Sequence, residues 1–244
     1  DDEKPIHRLH LDRYWISRVP VTNAQYRFFI EATQGRAPSH WEDGRIPRGQ
    51  ENHPVVNVSW HEAVAYAAWL EGQMQSPGAR LHIWRPEGLS LFDFRPETHH
   101  VSLPSEAEWE KAARGDRDKR AYPWGAAWRE GHCNTDELGL RETSPVGVFP
   151  EGASPYGVLE MVGNVWEWTR SAMEDYPYVI EDGRESLEGS DSVGRVLRGG
   201  AFLSNRDGAR CAFRDRDNPN FRYTNLGFRV VVSPSAAKRP SSAL

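Results

Sequence analysis

The chain has 244 residues, 38% hydrophobic and 27% charged, with 21 Gly, 17 Pro and a net charge of -5. A chain of this length buries roughly 70% of its unfolded surface and folds without disulfide staples, while its two cysteines exclude a disulfide framework and a four-cysteine zinc site. The acidic balance argues against a general phosphate-binding surface, and so against non-specific nucleic-acid binding, and no run reaches the ~18 apolar residues of a membrane span.

In chain order, His7 to Leu11 and Trp15 to Val19 read as short strands. Thr22-Asn23-Ala24-Gln25 is a capping box, with Val21 and Tyr26 placed as a staple and Phe29 and Ile30 continuing the helical stripe. Val55 to Val58 is a further strand, followed by a second box at Ser59 to Glu62; Ala63, Tyr66, Ala67 and Leu70 form its stripe, and Gly72 is its expected stop. A third box, Ser105 to Glu108, opens a short helix that ends near Gly115, with Trp109 and Ala112 turned to the core. From 116 to 195 Pro and Gly recur without helical period, which predicts structured loop or short strand pairs. Val196 to Arg198 and Phe228 to Val232 read as strands, and Ser233 to Leu244 as a frayed tail. Ten Trp, nine Phe and eight Tyr point to a loop-rich fold with aromatic core clusters. No signal peptide stands at Asp1, which leaves the compartment open between cytoplasm and export through an upstream segment.

The usual catalytic patterns are missing: no phosphate-binding Gly-Lys-Ser/Thr loop, no dinucleotide fingerprint, no nucleophile elbow and no His-Glu-x-x-His. His7 and His10, three apart on an expected strand, point to opposite faces. His40 and Glu42 have the spacing of a facial iron triad, with His53 as the third ligand; a solvated loop is the plainer reading. His99-His100 reads as an exposed loop pair, and Cys133 and Cys211 as buried free thiols.

Several stretches then fall into one order. Val21-Thr22-Asn23-Ala24-Gln25-Tyr26 opens the first helix, and Pro54-Val55-Val56-Asn57-Val58-Ser59-Trp60 precedes the second. Leu103-Pro104-Ser105-Glu106-Ala107-Glu108-Trp109-Glu110 and Tyr122-Pro123-Trp124-Gly125 follow, then Ser144-Pro145-Val146-Gly147. Gly163-Asn164-Val165-Trp166-Glu167-Trp168, Arg198-Gly199-Gly200 and Asn225-Leu226-Gly227-Phe228-Arg229 close the set. Across about residues 5 to 232 this series resembles the formylglycine-generating enzyme, or sulfatase-modifying factor, family. The resemblance implies an α+β, C-type-lectin-like fold with two main helices, short antiparallel strands around a central sheet and much irregular loop. It implies one domain over 1–232, with 233–244 a flexible tail. An insert at about 73–100 departs from the family and carries Leu81, Ile83, Trp84, Leu89, Leu91, Phe92 and Phe94. A hairpin packed on the body is its plain reading and a partner-binding patch its sharper one.

The family's oxidases hold Cu(I) on two cysteines shortly after the Gly-Gly motif, a task for two soft thiolates. Here Ser204 stands at the first position and the second falls near Arg206. A hydroxyl is hard and protonated at neutral pH, so no copper is expected and the chain reads as non-catalytic. The family's other enzyme branch uses iron on a separate helical-bundle domain, for which this sequence has no counterpart. A structural calcium is implied around the Gly-Asn-x-Trp-Glu-Trp loop, through side-chain oxygens of Glu160 and Glu167 and carbonyls of Gly163 and Val165; the alternative is a hydrogen-bonded loop with Glu167 paired to an arginine. A second implied position lies near Asn134 and Thr135.

Between Leu203 and Thr224, framework residues of the fold (Arg210, Ala212, Arg214, Asn218, Pro219) alternate with residues of scattered chemistry. The scattered set is Leu203, Ser204, Asp207, Gly208 and Phe213, then Asp215, Asp217, Phe221, Tyr223 and Thr224. This pattern resembles the variable region of lectin-fold proteins diversified by retroelements, whose codons change at adenines. Rigid aromatics interleaved with adaptable polar residues suit a ligand face, here for a protein or other macromolecule. The competing readings are a divergent formylglycine-type oxidase or other metal enzyme, and a structural module of a larger sensor or conflict protein.

Overall fold

A computed structural model describes residues 2–76, 94–188 and 190–234, together with the backbone of the strands at 81–85 and 88–92. All three capping boxes form. Helix α1, Asn23–Thr33, starts at Thr22, whose hydroxyl accepts from Gln25 N while Gln25 returns to Thr22 N. Helix α2, Trp60–Met74, and helix α3, Glu106–Arg114, start in the same way at Ser59 and Ser105. Gly115 ends α3 at φ 78°, as expected. Helix α2 instead runs through Gly72 to Met74. Gly72 lies in the last turn, and Met74 is buried against Phe94, Val101 and Val232, so packing extends the helix past its expected stop.

Among the described residues the nine strands are short. Strands β1 (Trp15–Ile16), β9 (Val231–Pro234) and β4 (His99–Ser102) form a three-stranded sheet with β9 central. Strands β2 (Leu81–Arg85) and β3 (Gly88–Phe92) form a hairpin in the insert; their side chains lie outside the described residues, while Phe94 of the insert's apolar set is buried with Met74, Val101 and Val232. Strands β7 (Asp215–Asp217), β6 (Arg195–Arg198), β5 (Trp166–Ala172) and β8 (Leu226–Phe228) form the second sheet in that order. The fold is α+β as expected, but β5 and β8 run parallel, with Trp166 beside Leu226 and Trp168 beside Phe228.

Helices α1 and α2 pack on this sheet through Tyr26, Phe29, Tyr66, Trp168 and Phe228. Trp60 donates to Thr169 O at 2.9 Å and Trp168 donates to Val58 O at 3.1 Å, stitching the start of α2 to β5. Glycine is required where backbones meet: a Cβ at Gly227 would lie 2.5 Å from Val55 O, and one at Gly163 2.3 Å from Asn134 O.

Several strand expectations fail. Residues 7–11 and 55–58 carry no sheet ladder: Val55 N bonds back to Val21 O at 2.8 Å, and Asn57 bends the chain at φ 57°. The run from Phe228 to Val232 is two strands, β8 and β9, serving different sheets. Ser233 is buried and Pro234 ends β9, so the ordered body continues past 232; residues 235–244 lie outside the described residues. His99 and His100 are half-buried on β4, not in an exposed loop, and burial lowers the His100 pKa.

Candidate ligand-binding face and metal positions

The corner where the family's oxidases carry cysteines is built by Gly199 and Gly200, both at positive φ (97° and 71°). The chain then turns so that Ser204 N donates to Ala201 O at 2.8 Å and the Ser204 hydroxyl accepts from Ala201 N at 2.9 Å. The Ser204 oxygen is thus a turn cap. Arg206 is exposed; its N–H donates to Glu137 Oε1 at 2.7 Å. The two thiols lie elsewhere: Cys133 packs with Val162 and Ala209, and Cys211 with Trp109, Ala112 and Met161. Both are free and buried, and burial pushes each up to about 12, so both are protonated at neutral pH. His40, Glu42 and His53 do not assemble. Asn57 Nδ2 donates to His40 Nδ1 at 3.2 Å, His53 Nδ1 lies 2.8 Å from Thr143 Oγ1, and Glu42 is exposed. Among the described residues no three His, Cys, Asp or Glu side chains converge as a metal group.

The calcium positions show a mixed donor set. Glu167 is fully buried and paired with Arg229, whose Nε and Nη2 donate to its two oxygens at 2.6 Å each; Trp109 Nε1 adds a third bond at 2.7 Å. This is the arginine pairing left open by the sequence, and it leaves Oε1 one lone pair. Glu160 differs. Gly147 N donates to its Oε1 at 2.8 Å, while its Oε2 is buried without a partner. Burial pushes this carboxyl up, Gly147 N–H and Arg229 oppose, and the charge of Glu167 adds to the rise. An acceptor oxygen without a donor, beside a second carboxylate, is a donor set that a hard cation fits. Gly163 N bonds to Gly199 O at 2.9 Å, and Val165 is buried immediately before β5. The second implied position also presents buried acceptors without donors, Asn134 Oδ1 and Thr135 Oγ1.

The ten candidate face residues separate into two groups. Leu203, Ser204, Asp207 and Gly208 belong to the Gly-Gly corner; Leu203 is exposed, and Ser204 O accepts from Asp136 N at 3.0 Å in the loop opposite. The second group surrounds Trp166, at the start of β5. Phe213 lies 6.0 Å from its ring, and Phe221 and Tyr223 pack edge to face at 5.9 Å. Phe221 and Tyr223 are 48% and 43% exposed, yet their backbones are pinned: Phe221 N donates to Asn218 O at 3.0 Å, and Tyr223 O accepts from Asn57 N at 2.9 Å. Thr224 is exposed beside them. A cleft of about 270 Å³ opens here, walled by Trp166, Asp215, Asp217, Tyr223 and Asn225, with Leu197 and Leu226 as its aliphatic part. Trp166 and Asn225 were not among the candidates. The alternation Trp166-Glu167-Trp168 held the signal, since one tryptophan of the pair is buried and the other only half-buried.

The profile of the family described as the sulfatase-modifying factor enzyme 1-like domain matches residues 1–234. The chain belongs to this family. Hercynine oxygenase of Mycobacterium tuberculosis is 33% identical across 95% of this chain and 55% of its own length. The serine/threonine-protein kinase pkn1 of Chlamydia caviae is 31% identical across 94% of the chain and 34% of its own length. Formylglycine-generating enzyme of Mus musculus is 28% identical, covering 95% of the chain and 69% of that enzyme. The chain therefore spans about half or less of the first two relatives. Among solved structures, PvdO from Pseudomonas aeruginosa superposes with TM-score 0.71 at 26% identity, covering 95% of this chain and 85% of the other. Treponema denticola variable protein 1 superposes with TM-score 0.65 at 24% identity, over 89% and 84%, and so shares the fold. The family contains enzymes. No helix among the described residues is long and apolar enough to cross a membrane.

Proposed function

We propose that this chain is a non-catalytic recognition protein that displays a binding face between Leu203 and Thr224, in the manner of a retroelement-diversified variable protein. The observation that carries the reading is the exposed pair Phe221 and Tyr223, held on bonded backbone beside an open cleft. Aromatic area left in water on a rigid support is what a recognition surface offers, because little conformational entropy is lost on binding. The oxidase reading draws on the relatives' names. It meets the chemistry of the corner, where a capping hydroxyl and an exposed arginine replace soft sulfur.

Calcium, if held at Glu160, Gly163, Val165 and Glu167, would supply the positive charge that the unpartnered Glu160 oxygen lacks, and so would fix the loop that precedes β5.

The test is a phage-displayed peptide selection on the intact chain. Selected peptides should lose at least tenfold in affinity for the Phe221→Ala/Tyr223→Ala double variant, while its circular dichroism melt is unchanged. Undiminished binding would remove this face from the proposal. A reverse transcriptase and a near-copy template repeat beside the gene would support diversification; an isolated gene would count against it.

A further inference from the structure

The cleft beside Trp166 holds two carboxylates, Asp215 and Asp217, that have no counter-ion among the described residues. Strand β7 lies at the edge of its sheet, and its alternation puts Asp215 and Asp217 on one face and Arg216 on the other. Arg216 lies along Gly194, where an added Cβ would meet its Cδ at 3.3 Å. Asp215 accepts from Arg216 N at 2.8 Å and Asp217 from Asn218 N at 2.7 Å. The Tyr223 side chain also hydrogen-bonds Asp217, but among the described residues neither carboxylate forms an ion pair, so each keeps acceptor capacity for a cation.

The neighbouring arginines are committed elsewhere. Arg195, in register with Asp217, donates to Arg170 O at 2.8 Å and Ser186 O at 2.9 Å and stacks 4.0 Å over the Trp60 ring. Arg222 forks onto Glu62 at 2.9 and 3.0 Å, and Arg210 onto Glu3 at 2.9 and 2.6 Å. Trp166 and Tyr223 complete the cleft with aromatic rings.

Two carboxylates without a counter-ion beside two aromatic rings suit an organic cation: the carboxylates take charge-assisted hydrogen bonds and the rings attract the cation through their quadrupoles. The cleft, at about 270 Å³, falls just below the roughly 300–1,000 Å³ of pockets for whole small molecules. We infer that it receives one cationic side chain, the guanidinium of an arginine or the ammonium of a lysine, presented by a protein partner between Asp215, Asp217, Trp166 and Tyr223. This inference rests on the binding-face reading and names the chemistry of its centre.

The experiment titrates the intact chain with the peptide acetyl-Gly-Gly-Ala-Arg-Ala-Gly-Gly-amide, following the Trp166 indole N–H by NMR. Parallel titrations use versions with lysine, citrulline or glutamate in place of the arginine, and free arginine. The arginine and lysine peptides should move the Trp166 signal to saturation, more weakly at high salt. Citrulline, isosteric but neutral, should bind at least tenfold more weakly, and Asp215→Asn/Asp217→Asn should lower the arginine peptide's affinity by at least tenfold. Equal binding of citrulline or glutamate would overturn the cationic class while leaving the face a binding surface. Free arginine matching the peptide would overturn the protein-borne source. No response to any cation would overturn the inference, and the phage selection decides the face independently.

Discussion

Two regions use the same residue types to opposite ends. Around Glu106, fully buried on α3, Arg214 donates to both carboxylate oxygens at 2.8 and 3.0 Å, with Arg184 at 3.5 Å and Arg198 at 3.8 Å. Arg198 in turn holds Glu110 at 2.7 Å, and Arg214 lies 4.0 Å from the Tyr176 ring. Around Asp215 and Asp217 the carboxylates face a cleft without counter-ions among the described residues. The first region holds loops together with charge already satisfied; the second leaves its carboxylates without a counter-ion among the described residues. Burying an ion is costly unless it is paired, so the unpaired carboxylates stand at the surface and the paired ones lie inside.

The largest expected effect breaks the first region. Glu106→Ala leaves three arginines without their shared partner and should cost about 3–5 kcal/mol in urea unfolding; a loss below about 1 kcal/mol would show that the cluster is incidental. Acid should act on the same interior. Burial pushes Glu108 and Glu110 up, but Arg170 acts against it at Glu108 and Arg198 and Arg114 at Glu110, so both end below the ordinary value of 4.5. Lowered folded values mean stability present above pH 4.5 and lost as pH falls through them. Thermal melts should therefore drop as pH falls below about 4.5, and a flat profile there would contradict the pairing.

Glu160 has the opposite sign. Its folded value is raised by burial, so its contribution is favourable at low pH and lost as pH rises through that value. Calcium should raise the melting temperature chiefly above that transition, and Glu160→Gln should abolish the calcium effect. A calcium response unchanged in the variant would move the ion elsewhere. The smallest effect belongs to the face: Phe221→Ala/Tyr223→Ala should change unfolding stability by no more than about 0.5 kcal/mol. A larger loss would make the two rings part of the core.

The helices were legible because capping boxes are local. Thr22, Ser59 and Ser105 each bond within three residues, and sequence spacing alone shows it. The strands were less so, because a three-residue strand such as β7 or β8 is defined by its neighbour and not by its own composition. β5, the longest strand at seven residues, lay inside a stretch read only as loop or short strand pairs. Its Trp-Glu-Trp-Thr-Arg-Ser-Ala sequence buries Glu167 as well as Trp168, so polarity does not alternate as a half-exposed strand's does. The residues of the proposed face stand out in the sequence as a run of scattered chemistry, but their division between the Ser204 corner and the Trp166 cleft does not. That division depends on β5 and β6 bringing Trp166 and Leu197 to β7 across large sequence separations.

The most direct test of recognition over oxidation is anaerobic loading with Cu(I), followed by oxygen and a cysteine peptide, with copper stoichiometry and peptide mass measured together. The account predicts substoichiometric copper and an unchanged cysteine. One copper per chain with conversion of the cysteine to an aldehyde would contradict it.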